Sequence, residues 1–210
     1  GEDSAYLFAI LGGDDPGRVL WAPQVFDMAS DHGLMLMEDG SLVDTAAGEV
    51  PPEDVAPMPK TTLEQVAEHR VVDSDALENI VIRTSAFRWV RDTALSRYPG
   101  VEEAALLGPA GPAESVPAGN LDSNHEFVLR ALRLAPCAGI PAHVRKEEEV
   151  LFVQSGCLKV VVDGEAIELG KGDTFTTPIG AQRSFTNTGG ETCIVYVTRR
   201  NDQPKAPEFS

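Results

Sequence analysis

Basic residues are scarce in this 210-residue chain, which holds 17 Lys+Arg against 33 Asp+Glu for a formal net charge of -16. A polyanion of that kind is repelled by phosphate backbones and anionic lipid, which excludes nucleic acid and membrane surfaces as partners. Long apolar runs are lacking too, and none approaches the ~20 residues of a membrane-spanning helix. Gly1 is followed at once by Glu2 and Asp3, so no secretory leader is expected. The only cysteines are Cys137, Cys157 and Cys193, too few and odd in number for a disulfide scaffold. These absences point to a soluble, reduced, cytoplasmic protein. No Walker loop, dinucleotide fingerprint, Cys-x-x-Cys pair or nucleophile elbow occurs, so the chemistry lies elsewhere. What is present is a hydrophobic content of 42%, which excludes wholesale disorder, on a chain long enough for one large or two small domains.

Charge is distributed unevenly. Residues 1–60 hold 12 acids and only Arg18 and Lys60 as bases, whereas residues 61–210 hold 21 acids and 15 bases. The shift coincides with GEVPPEDVAPMPK at 48–60, where Pro51, Pro52, Pro57 and Pro59 remove backbone donors and favour extended chain, as in a linker. Before it, Tyr6–Leu11 reads as a buried strand, Pro23–Ser30 as a short helix, and Asp39-Gly40 as a hairpin turn between Met35–Met37 and Ser41–Asp44. After it, Thr61-Thr62-Leu63-Glu64 has capping-box spacing and opens a helix to about His69. Strands are expected at Ile80–Arg83, Phe87–Val90, Ala104–Leu107 and Glu126–Leu134. Six more follow at Glu149–Val153, Leu158–Val162, Ala166–Leu169, Thr174–Thr177, Arg183–Thr186 and Cys193–Arg199. Short strands punctuated by Gly, Pro, Asn and Asp mean an all-β sandwich or barrel.

One spacing within this β region carries chemistry. Cys137 is followed by five residues, then His143, Val144, Arg145, three residues, Glu149, six residues and Gly156. After 15 more residues come Gly172, five residues, Pro178-Ile179-Gly180, two residues, Arg183, three residues and Asn187. His143 and Arg145 are two apart, so on a strand both project to one face, and Glu149 opens the adjoining strand. The Pro178-x-Gly180 turn delivers Arg183 to a facing strand. All four side chains are therefore expected to meet inside the barrel.

This pattern resembles the paired signature motifs of the cupin superfamily, Gly-x5-His-x-His-x3-Glu-x6-Gly and Gly-x5-Pro-x-Gly-x2-His-x3-Asn. The resemblance covers about 50 residues and implies a jelly-roll barrel at about 71–210. In metal-binding cupins the matching positions are three His and one Glu, which hold a divalent transition metal. Here only His143 and Glu149 match, so they are the metal ligands and catalytic groups that the resemblance implies. Arg145 and Arg183 stand at the other two ligand positions. A guanidinium is a permanently cationic donor and repels a metal, so a metal cofactor is disfavoured in this barrel. Two further readings stay open. Arg145 and Arg183 can hold a small carboxylate or other anion, with His143 or Glu149 moving a proton. Alternatively they form internal ion pairs with Glu149, as remnants of a lost metal site. Cys137 stands where the motif has its first glycine, with Gly139 close by to keep the turn flexible.

Residues 1–17 can also be laid without a gap on 189–205, Gly1 on Gly189, Phe8 on Tyr196, Asp14 on Asp202 and Pro16 on Pro204. Read as a repeat, residues 1–47 hold the last strand and exit of a preceding cupin, 48–60 the linker, and 61–210 a second barrel with motifs at 137–156 and 172–187. The alternatives are chance similarity and a single cupin with an arm that swaps onto a partner subunit. The resemblance implies the degenerate barrel of a bicupin of dioxygenase type acting on a small aromatic or diketone-like substrate. A non-catalytic anion-binding or scaffold cupin is the alternative, and a metal-free isomerase or epimerase with His143 as base the third. Cupin barrels usually pair, so a homodimer and a small-molecule ligand are the expected partners. His32, His69 and His125, like Trp21 and Trp89, are expected to be structural or solvated.

Overall fold

The computed structural model describes residues 10, 20–67 and 78–210. The expected strand at Tyr6–Leu11, the match of 1–17 to 189–205, and His69 lie outside them, save for Ile10. Among the described residues the chain forms two compact units, one within Gly17–Asn79 and one over Ile80–Ser210.

In the first unit, helix α1 (Pro23–Asp31) starts with proline in its opening turn, where the missing N–H costs no hydrogen bond. It leads into a hairpin of β1 (Leu34–Leu36) and β2 (Leu42–Asp44), with Leu36 opposite Leu42. The hairpin turn has Gly40 at φ +85, as the Asp39-Gly40 pair requires. Part of the stretch 48–60 runs along this hairpin. The Glu38 N–H donates to the Ala56 carbonyl at 2.9 Å and the Met58 N–H to the Leu36 carbonyl at 2.8 Å. Helix α2 (Leu63–Ala67) is capped one residue later than the spacing suggests. Thr62 Oγ1 accepts from the Gln65 N–H at 3.2 Å, and Gln65 Oε1 accepts from the Thr62 N–H at 2.8 Å. Gln65 rather than Glu64 therefore closes the box.

The second unit is an antiparallel jelly roll of two five-stranded sheets. One has the order β3 (Val101–Leu107), β4 (Phe127–Leu134), β11 (Cys193–Arg200), β6 (Glu149–Ser155), β9 (Thr174–Thr177). The other has the order β12 (Glu208–Phe209), β5 (Gly139–Val144), β10 (Arg183–Asn187), β7 (Leu158–Val162), β8 (Glu165–Leu169). Side chains alternate across each strand, and the inward set of both sheets forms one core that includes Leu132, Leu134, Ile140, Leu151, Val195 and Phe185.

Two expected strands are absent. Ile80–Arg83 and Phe87–Val90 form no ladder, and only Val90 makes a single bridge, to Glu103. Their apolar residues Ile82, Phe87 and Trp89 instead pack on the outer face of β3, β4 and β11, against Ala104, Ala131 and Tyr196. A run of apolar residues thus covers a sheet instead of extending it. Strand β5, on which His143 was expected, ends at Val144, so Arg145 follows it in place of sharing it. The Pro141 side chain is exposed, and the β5–β10 register shifts between Arg183 and Phe185. No helix among the described residues is long and apolar enough to cross a membrane.

Candidate functional site

The inward positions of the barrel change character along their length. On β4, Leu134 and Leu132 give way to Arg130, and on β11, Val195 and Val197 give way to Arg199. On β6, Val153 and Leu151 give way to Glu149, and on β10, Phe185 gives way to Arg183. The period of two that builds the core thereby carries one charged residue per strand into a common layer at one end. Glu103 on β3, His143 on β5, Arg145 just after it, and Glu114 from a 3-10 turn at Pro112–Glu114 complete that layer. Each of these side chains is 2% exposed or less.

Glu149 is the hub. Its Oε2 accepts from Arg199 Nε at 2.6 Å and lies 3.3 Å from Arg145 Nε, while its Oε1 lies 3.8 Å from Arg183 Nη1. Burial alone would raise the Glu149 pKa, but the guanidiniums of Arg199 and Arg145 outweigh it and hold the carboxyl down at about 2. Glu114 is a second hub. Its Oε1 accepts from Arg145 Nη1 at 2.8 Å, and its Oε2 lies 2.6 Å from Arg130 Nη1. Arg130 also donates to Glu103 at 3.2 Å, and Glu103 in turn accepts from the Thr93 hydroxyl. Arg183 points its remaining donors at the turn after β9, giving Nη2 to the Pro178 carbonyl at 2.7 Å and to the Ala181 carbonyl at 2.9 Å. The same turn is tied to Arg145, whose carbonyl accepts from the Gly180 N–H at 3.0 Å.

His143 sits opposite Arg183 in the β5–β10 register. Its Nδ1 lies 2.9 Å from the Pro141 carbonyl, an acceptor only, so Nδ1 carries the proton and Nε2 is a bare lone pair. The ring packs edge-on to Phe185, with centroids 5.6 Å apart. Burial is the main cause that pushes the His143 pKa down to about 4, so the imidazole is neutral at pH 7.

The four residues singled out by spacing are thus brought into one buried cluster. Arg199, Arg130, Glu103 and Glu114 were missed. Strand parity was the signal for the first two, since Val195, Val197 and Arg199 share a face of β11, as do Leu134, Leu132 and Arg130 of β4. Glu114 comes from a loop and had none.

A transition metal does not fit these residues. Among the described residues no group of three or more His, Cys, Asp or Glu could hold an ion. Glu149, the one carboxylate among the four spaced residues, is already engaged by cations that would repel it.

The fold and this layer together define an antiparallel jelly-roll barrel with arginine at two of the positions where the cupin motif has histidine. Residues 131–199 match the family model described as the cupin domain. No curated protein matches the chain. Among solved structures it is similar to the polyketide cyclase RemF of Streptomyces resistomycificus, at 19% identity over 61% of this chain and 83% of that one, with a TM-score of 0.49. It is also similar to a predicted oxalate decarboxylase of Thermotoga maritima, at 20% identity over 58% and 98% of the two chains, with a TM-score of 0.46. A third likeness is to an RmlC-like cupin of Shewanella frigidimarina, at 18% identity over 57% and 88%, with a TM-score of 0.43. Such distances leave the chemistry of this chain to its own residues.

Proposed function

We propose that this cupin barrel is a metal-independent binding module, whose centre takes a small carboxylate-type anion where a metallocupin takes its ion. One observation carries the reading. The fully buried charges among the described residues are four arginines against three glutamates, with His143 neutral, so the layer is one negative charge short. Arginine does not deprotonate in a protein, and an uncompensated buried charge is costly, so the missing charge is supplied by a ligand. Burial, with repulsion from Arg199, pulls the Arg145 pKa down, whereas at Arg199 burial is outweighed by Glu149 and Glu114, which hold its pKa up. Glu147 and Asp163 also attract Arg183, but from partly exposed and exposed positions where water screens their charge.

The reading also suits a degenerate barrel within a longer two-barrel enzyme of dioxygenase type, the aromatic or diketone chemistry then belonging to the other barrel. An isomerase using His143 as base is less well supported. Its Nδ1 partner is a backbone carbonyl in place of a carboxylate, and a base with a pKa of about 4 is weak at neutral pH. Elemental analysis of the purified chain beside His143→Ala tests the metal-independent reading. The expected result is substoichiometric transition metal in both. Near-stoichiometric metal that disappears in the variant would sink the proposal.

A further inference from the structure

The unpartnered atoms of the charged layer describe what would complete it. Five buried guanidinium nitrogens among the described residues make no hydrogen bond: Arg145 Nε and Nη2, Arg183 Nη1, and Arg199 Nη1 and Nη2. The gaps at Arg183 Nη1 to Glu149 Oε1, 3.8 Å, and at Arg199 Nη1 to Glu114 Oε1, 4.0 Å, are within ion-pair reach but too long for hydrogen bonds. Water could meet those donors but not the missing negative charge.

Orphaned acceptors stand among the same groups. His143 Nε2 and Glu149 Oε1 are buried without a donor, and the Thr177 hydroxyl, able to donate or accept, stands across the β6–β9 ladder from Glu149 without a partner. Register places His143 opposite Arg183, and Glu149 opposite both Arg199 and Thr177, so donors and acceptors face the same centre. Glu147 Oε2 is also unpartnered, but on a residue that is partly exposed. A plain carboxylate only accepts. It would serve the arginines and leave His143 Nε2 and Glu149 Oε1 empty, at the cost of burying unmet acceptors.

Resting on the anion-binding reading, we infer that the ligand is a small monoanion bearing a hydroxyl, its charged oxygens on Arg145, Arg183 and Arg199 and its O–H donated to His143 Nε2 or Glu149 Oε1. Bicarbonate and the 2-hydroxycarboxylates share that chemistry.

The test is titration calorimetry of the full chain in chloride-free buffer at pH 7.5, with two matched pairs: acetate against glycolate, and formate against bicarbonate. The expected result is about tenfold tighter binding of the hydroxylated member in at least one pair, the worth of one buried hydrogen bond. The pair that shows it names the organic or the inorganic source. In His143→Leu that preference should shrink while acetate or formate still binds, and His143→Gln, which keeps an acceptor, should retain part of it. If His143→Leu does not fold, the wild-type ratios decide alone. Equal affinities within both pairs overturn the hydroxyl inference and leave anion binding standing. Absence of binding by all four anions overturns the anion-binding reading and the inference with it.

Discussion

Cys137 holds a backbone conformation made for another residue. Its φ is +64, in the left-handed region where a Cβ crowds the carbonyl, and it stands where the cupin motif has glycine. Gly139, expected to relieve that turn, serves a different purpose. A Cβ there would lie 2.7 Å from the Phe185 carbonyl oxygen, so its lack of a side chain lets β5 approach β10. Cys137→Gly should therefore raise stability by about 0.5–1 kcal/mol, the relief of strain less the added entropy of the unfolded chain, read from the urea midpoint. A lower midpoint would mean that the exposed thiol makes packing contacts worth more than the strain. Asn187, the last motif residue, has a structural task. Its side-chain amide donates to the Leu134 and Glu191 carbonyls at 2.9 and 2.7 Å, and its Oδ1 accepts from the Gly189 N–H at 2.9 Å, which pins the ends of β4 and β10.

At the scale of elements, the charged layer behaves as a network in which each carboxylate serves several cations. Glu114 joins Arg130 of β4 and Arg145 just past β5 from a single short turn, so its loss leaves the two arginines with less compensation. Glu114→Gln should cost about 3 kcal/mol or more in chemical denaturation, as removal of one partner from a buried ionic network does. Glu208→Gln breaks an exposed pair with Lys146 and should leave the midpoint unchanged. Equal midpoints for both variants would show that the layer is not the coupled unit described.

The same elements show what could be read beforehand. The strands from Glu149 to Arg200 were legible because period-two alternation and turn residues agree there, and His143, Arg145, Glu149 and Arg183 were legible through motif spacing. The segments 80–83 and 87–90 misled because an apolar run has the same look whether it joins a sheet or lies on one. The partners of the site were hidden for another reason. Glu114 reaches it by tertiary packing of a loop, and Arg199 and Arg130 carry no motif, only the parity of their strands.

For the molecule as a whole, the buried layer makes acid the sensitive direction. The His143 pKa lies at about 4 in the fold against 6.5 in the open chain, so between those values the unfolded state binds the extra proton. Its contribution is complete above pH 6.5 and is lost as pH falls toward 4, amounting to about 3 kcal/mol. Glu149 adds loss of the same sign from 4.5 down to about 2, and Glu114, also held below its ordinary value, acts in that direction too. Urea midpoints at pH 7.5, 5.5 and 4.5 should fall in that order, and His143→Leu should flatten the fall above pH 4.5. A wild-type midpoint independent of pH over this range would contradict the buried neutral imidazole. Burial of the layer also bears on time. The turn at Pro178–Gln182 lies at the surface, yet its carbonyls hold the Arg183 guanidinium and the Gly180 N–H holds the Arg145 carbonyl, so lifting that turn would loosen both arginines together. For the proposed anion, entry and exit would then be paced by a motion of the chain more than by the strength of its own contacts.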